Sequence, residues 1–89
     1  MDSRTSRYQR SAEAFLVGAS AADRREIERI VRNLCVDPFV NNKTVFWLPY
    51  PPAILNVYRD SRYWIAFHLP ENGRLSVLNI GHASSPPAL

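Results

Sequence analysis

Arg62-Tyr-Trp-Ile-Ala-Phe-His-Leu69 is the stretch that decides the fold. Its side chains alternate: Tyr63, Ile65, Phe67 and Leu69 point one way, and Arg62, Trp64, Ala66 and His68 the other, as a strand with one core face requires. Turn chemistry closes both ends, with Asp60-Ser61 before it and Pro70-Glu71-Asn72-Gly73 after it. Connections this short make its neighbours, Ile54–Arg59 and Leu75–Ile80, antiparallel strands. Lys43–Leu48 is a further candidate strand ahead of the breaker Pro49-Tyr50-Pro51-Pro52. With Asp60-Ser61 as a two-residue loop, Tyr63 opposes Tyr58 and Phe67 opposes Ile54, and Leu78 and Ile80 join them on the core side. The other face then collects Leu55, Val57, Arg59, Arg62, Trp64, Ala66, His68, Leu75, Val77 and Asn79.

Upstream of Pro38 the period is helical. Ala12, Phe15, Leu16 and Ala19 follow a spacing of three and four, with Ser11 as the expected N-cap and Glu13 in the first turn. Ser20-Ala-Ala-Asp23 opens a second helix with a capping-box pattern. Its apolar stripe is Ile27, Ile30, Val31, Leu34 and Cys35, and Glu28 and Arg32 are placed to pair on its wet face. Asp37-Pro38 ends it, because the residue before proline is pushed out of the helical region. The first ten residues, with Arg4, Arg7 and Arg10, read as either a short edge strand or a basic arm. The expected architecture is therefore α+β: an N-terminal helical hairpin packed on one face of a small antiparallel sheet. It forms a single domain over 1–89, with 83–89 as a tail.

Composition agrees and excludes several classes. At 89 residues and 10.2 kDa there is room for one core. A chain 46% hydrophobic and 21% charged folds rather than staying disordered. Its net charge is +3, and its pI near 9.5 is a modest basic bias. Ten of the eleven basic residues are Arg, the side chain that makes flat, bidentate contacts to phosphate and carboxylate. Cys35 alone excludes an internal disulfide and suits a reducing cytosol. No apolar run approaches the ~20 residues of a membrane span, and no secretory signal opens the chain, so a soluble cytoplasmic protein is expected. His68, His82 and Cys35 lack metal-ligand spacing, and neither metal nor cofactor is expected.

Two helices cover one side of a sheet, yet the other side here carries Leu55, Val57, Trp64 and Val77 rimmed by Arg and His. Either that patch is a partner surface, or the Lys43–Pro52 segment or the C-terminal tail folds across it.

The order of elements and three motifs resemble the RelE/ParE superfamily, the toxins of bacterial type II toxin–antitoxin modules. The motifs are Leu34-Cys-Val-Asp37-Pro38, Val57-Tyr-Arg-Asp-Ser-Arg-Tyr-Trp-Ile-Ala-Phe67 and Leu75-Ser-Val-Leu-Asn-Ile-Gly-His82. In that family the second helix ends near Leu-x-x-x-Pro, a y-R-x-x-x-x-Y-R-I-x-Y hairpin follows, and a V-x-V-x-x-I-x-H-R strand closes the chain. The resemblance spans residues 8–83. It implies one of two chemistries: RelE-like cleavage of mRNA on the ribosome by cationic side chains on the uncovered sheet face, or ParE-like inhibition of DNA gyrase without nuclease activity. Both imply a small antitoxin that wraps the toxin. The sequence departs from the RNA-cutting pattern where Trp64 replaces the hairpin Arg, where Ala83 replaces the Arg after the closing His, and where residues 83–89 offer no Tyr. Cleavage through the 2′-hydroxyl needs a base, an acid and stabilisation of the phosphorane charge, so two of the usual positions are empty.

Under this resemblance, Arg59 and Arg62 sit side by side at one end of the uncovered face, joined by Arg74 across the sheet end. They grip a phosphate or an antitoxin carboxylate, and Lys43 is grouped with them. His68 and His82 are the candidates for proton transfer, with Arg59 beside the reacting phosphate. Trp64 either stacks on a base or anchors the antitoxin. Arg24, Arg25, Arg29 and Arg32 read as a solvated helix edge. The leading expectation is a RelE-like, ribosome-associated mRNA endonuclease, or an impaired form of one. The alternative is a ParE-like gyrase inhibitor or an inactive toxin-fold binding module, and a third reading is a module that self-associates through the Trp64 face.

Overall fold

The computed structural model describes residues 5–38, 45–50, 53–69 and 73–85, with the side chains of 45–55 outside that description. In chain order the elements are β1 (Thr5–Tyr8), α1 (Arg10–Gly18), α2 (Ala21–Val36), β2 (Val45–Tyr50), β3 (Ala53–Arg59), β4 (Tyr63–His68) and β5 (Arg74–His82). They form the expected α+β architecture. The five strands make one sheet in the order β1-β5-β4-β3-β2, and β2 to β5 run as an antiparallel meander. The first ten residues supply an edge strand, and it pairs in parallel with β5, so the sheet is mixed rather than purely antiparallel. The candidate strand at Lys43–Leu48 is realised as Val45–Tyr50, in the plane of the sheet along β3.

α2 forms as its sequence dictates. The Ser20 hydroxyl accepts the Asp23 N–H at 3.1 Å, and the helix stops at Val36 ahead of Asp37-Pro38. All five stripe residues are buried. Among the described residues, the ion pair on its surface is Arg29 with Glu26 rather than Glu28 with Arg32. α1 begins two residues earlier than its periodicity suggests. Gln9 takes the cap position without a side-chain bond, which leaves Ser11 inside the first turn. The other end of α1 is closed from a distance: Arg24 donates through Nε to the Leu16 carbonyl and through Nη2 to the Ala19 carbonyl, both at 3.2 Å. This satisfies carbonyls that a helix end leaves without partners.

The register between β3 and β4 differs from the expected one by two residues, with Asn56 opposite Phe67, Tyr58 opposite Ile65 and Arg59 opposite Trp64. The cause lies in Asp60. Its backbone N–H donates to the Tyr63 carbonyl at 3.0 Å, and its Oδ1 accepts the N–H groups of Arg62 and Tyr63, each at 2.8 Å. The loop is thus centred on Ser61-Arg62, and Asp60 belongs to its stem. An even shift keeps the faces as expected.

β5 breaks the alternation. Ala66 faces Asn79 while Phe67 faces Val77, so Leu78 is an extra residue in a β-bulge. Upstream of it Leu75 and Val77 turn to the helix side, downstream Ile80 does so, and Leu78 turns away. The expected placement of Leu75 and Val77 opposite the helices, and of Leu78 beneath them, is corrected by this one insertion. The core between helices and sheet unites Ala12, Ile27, Ile30, Val31, Leu34 and Cys35 with Tyr63, Ile65, Phe67, Leu75, Val77 and Ile80. Before β5, Gly73 takes φ +76°, a left-handed value that a side chain disfavours.

Candidate functional site

The face opposite the helices, here the distal face, has an apolar centre. Val57, Trp64 and Ala66 are buried there, with Leu78 packed against them. Of the expected patch, Val77 has left this face and the Leu55 side chain lies outside the described residues. Trp64 is 3% exposed, so its centre is not a bare apolar surface. The indole lies flat on Gly81: a Cβ built there falls within 2.5 Å of Trp64 Cζ2, Cε2 and Nε1. Gly81 has no positive φ, so the glycine is required for space rather than for backbone freedom. Trp64 Nε1 is buried without a hydrogen-bond partner among the described residues. At the position where the resemblance expects a phosphate-clamping Arg, the chain places a large apolar ring in an apolar setting, where an unpaired charge is costly.

Charge is carried at the two ends of that face. Arg59, exposed and opposite Trp64, stands at the turn end. At the other end His68 pairs with Ser76, Ser76 pairs with Arg7, and Arg74 pairs with Thr5. The two ends lie four residues apart along β4, about 13 Å at ~3.3 Å per residue. Arg74 therefore does not join Arg59 as expected. None of the five strands contains Asp or Glu.

Arg62 and His82 occupy the helix side instead. The His82 ring sits 5.2 Å from that of Phe15 in α1 and 6.0 Å from that of Tyr63. The Tyr63 hydroxyl donates to Asp23 Oδ1, tying β4 to the first turn of α2. That bond, with help from Ser20, His82 and Arg62, holds the Asp23 carboxyl below the usual carboxylate range despite its partial burial. The same bond, together with burial and the Asp23 charge, pushes Tyr63 up to about 12. Arg62 also lies within electrostatic reach of Glu26. Arg59 and Arg62 thus part company at the turn, one on each side of the sheet. At its stem, burial pushes the Asp60 carboxyl up, but bonds from the Tyr63 and Arg62 N–H groups and the Tyr58 hydroxyl outweigh it and hold the pKa low. Tyr58, its hydroxyl 2.7 Å from Asp60 Oδ2, is raised by burial and by that carboxylate.

The three sequence candidates for catalysis are therefore not convergent. Arg59 and His68 share the distal face at opposite ends, and His82 belongs to the helix side. Ala83, where the resemblance expects Arg, donates its N–H to the Arg62 carbonyl at 2.8 Å. Lys43 lies outside the described residues. Arg7, beside Ser76 and His68, was missed among the site candidates. The available signal was the Arg at every third position of the first ten residues, but parallel pairing with β5 cannot be read from it. Among the described residues no group of three or more His, Cys, Asp or Glu gathers to hold a metal, and no helix is long and apolar enough to cross a membrane.

Three solved toxin–antitoxin complexes contain chains with this architecture, and the chains matched are their RelE toxin components. A chain of the RelBE2 complex from Mycobacterium tuberculosis superposes with a TM-score of 0.78 at 15% identity, covering 96% of this chain and 97% of that one. The archaeal RelE–RelB complex from Pyrococcus horikoshii OT3 gives 0.75 at 14% identity, covering 96% and 100%. The intact RelBE complex of E. coli gives 0.66 at 11% identity, covering 88% and 94%. The chain has the RelE fold. No protein-family model matches the sequence, and no curated protein matches it.

Proposed function

We propose that this chain is the toxin component of a type II toxin–antitoxin module, held in the cytoplasm by a small antitoxin, and that it acts as a RelE-like, ribosome-associated mRNA endonuclease. The observation that carries the reading is the RelE fold over 96% of the chain, with toxin components of RelBE complexes as its structural relatives. Strands without a carboxylate support it, because the distal face then offers Arg and His alone to a polyanion. In this reading Arg59 neutralises phosphate charge at the turn end, and His68 moves a proton. Arg74 and Lys43 add to binding, and Arg62 and His82 act from the helix side on the antitoxin or the ribosome.

A second reading, a ParE-like gyrase inhibitor or an inactive toxin-fold binding module, is favoured by one specific observation. Trp64 is buried on Gly81 at the expected Arg position, and an apolar cluster fills the middle of the face where a scissile phosphate needs donors. Controlled expression in a bacterial host, with mapping of mRNA 5′ ends as growth slows, separates the two. New cuts within translated frames are expected from the first. Growth arrest without cuts, accompanied by a DNA-damage response, moves the assignment to the second, and no arrest removes the toxin reading.

A further inference from the structure

We propose that Arg7, Ser76 and His68 form a phosphate-anchoring subsite for single-stranded RNA at the β1 end of the distal face. This rests on the RNA reading above and gives it a location. The register makes the subsite: Arg7 is opposite Ser76 on one side of β5, and His68 is opposite Ser76 on the other. The three residues stand in one row across three strands, with ~4.8 Å between neighbouring strands, so Arg7 and His68 straddle the serine with Cα atoms about 10 Å apart. All three point away from the helices, because their neighbours Tyr8, Phe67, Leu75 and Val77 belong to the helix-side core. A guanidinium fork on one flank, an imidazole on the other and a hydroxyl between them are donors spaced around a gap that one tetrahedral phosphate fills.

Three other arginines are engaged elsewhere. Arg29 pairs with Glu26, Arg24 holds the end of α1, and Arg62 lies near Asp23 and Glu26. Arg7 is exposed, and β1 itself carries no acidic residue. A repeating anion suits this face better than an acidic peptide. Measured along the strands, the Arg7 row and Arg59 lie about 13 Å apart, and no strand carboxylate interrupts the path between them.

The test uses the full chain and a 5′-fluorescein-labelled single-stranded RNA oligonucleotide, read by anisotropy across a salt series. Arg7→Ala is expected to weaken binding about tenfold and to flatten the log–log salt slope by about 0.7, the value for one phosphate contact on a single strand. His68→Gln is expected to weaken binding less, and Arg7→Lys to restore most of the salt slope. Arg25→Ala removes the same charge from the exposed surface of α2 and serves as the control, with binding expected within about twofold of the parent. Unfolding midpoints equal to the parent's certify each variant. The subsite is overturned if Arg25→Ala matches Arg7→Ala, if Arg7→Ala changes nothing, or if the parent ignores RNA and binds a Glu-rich peptide through Arg7. Failure of this inference and failure of the endonuclease reading are distinguishable. In-cell mRNA cuts that persist in an Arg7→Ala variant overturn the subsite alone, and Arg7-dependent RNA binding without any cuts overturns the endonuclease alone.

Discussion

Replacing Gly81 by Ala tests the packing on the distal face most directly. The added methyl meets three indole atoms of Trp64 within 2.5 Å, where carbon atoms at rest sit about 3.5–4.0 Å apart. The overlap exceeds 1 Å, and the obstacle is a buried ring rather than the end of a flexible side chain, so either the indole or β5 must move. Overpacking of this kind costs about 1–3 kcal/mol, and the overlap argues for the upper end. Against it stands the ordinary gain of roughly 0.4–1 kcal/mol when glycine becomes alanine at a backbone conformation alanine accepts. The net loss is about 2 kcal/mol, which lowers the midpoint of a domain this size by roughly 8–16 °C. Thermal and urea unfolding followed by far-UV circular dichroism measure it. The same substitution in a Trp64→Leu background meets no ring, and there Gly81→Ala is expected to be neutral or stabilising by about 0.5 kcal/mol. Equal destabilisation in both backgrounds, or none in the parent, would refute the reasoning that Gly81 exists to seat Trp64.

The remaining predictions concern the core, the cap and two titrations. Phe67→Ala, at a fully buried core position, is expected to cost about 3–5 kcal/mol, a large share of a small domain's stability, measured by urea unfolding. Ser20→Ala removes the α2 cap and is expected to cost about 1 kcal/mol by the same assay. The folded pKa of Asp60 is depressed, so its contribution is fully present above the unfolded aspartate value of about 3.9 and is lost as pH falls through the lower folded value. Asp60→Asn is expected to flatten that acid limb of the stability curve, and an unchanged limb would show that the turn does not need the charge. Tyr63, pushed up to about 12, contributes stability below the ordinary tyrosine value that is lost as pH rises through the folded one. Ultraviolet titration of the parent against Tyr63→Phe is expected to find one phenol ionising near that pH.

The helices were legible because their signals are local. Five apolar residues at helical spacing and a Ser cap three residues before Asp23 specify α2 with little outside help. β4 was legible for the same reason, since its alternation survives any choice of partner. The turn sits one residue later than the sequence suggests, which moves the register by two, because Asp60, a residue at home inside loops, here uses its carboxylate to close the stem. The bulge left no mark at all. Leu75-Ser-Val-Leu-Asn-Ile80 contains adjacent apolar residues at 77 and 78, so two phases of alternation fit equally well, and only pairing with β4 selects between them. The candidate site fared worse because it depends on tertiary placement. Arg62 follows from strand alternation that stops at the turn, His82 follows from the closing position of the resemblance, and Arg7 acquires its neighbours through a strand some seventy residues away in sequence.

The extra residue in β5 has a consequence for how the sheet tolerates change. A regular strand can slide by two positions against its neighbour and still offer apolar side chains to the same layer. This strand cannot, because its alternation runs in one phase before Leu78 and in the other after it. Any slide drives polar Ser76 or Asn79 into the layer beneath the helices, or pulls Val77 or Ile80 out of it. The bulge thus acts as a register key, and it also uncouples the halves of the distal face. Residues on the Arg7–His68 side and on the Trp64–Gly81 side answer to separate phases, so one end of the face can be rebuilt by substitution while the other keeps its geometry.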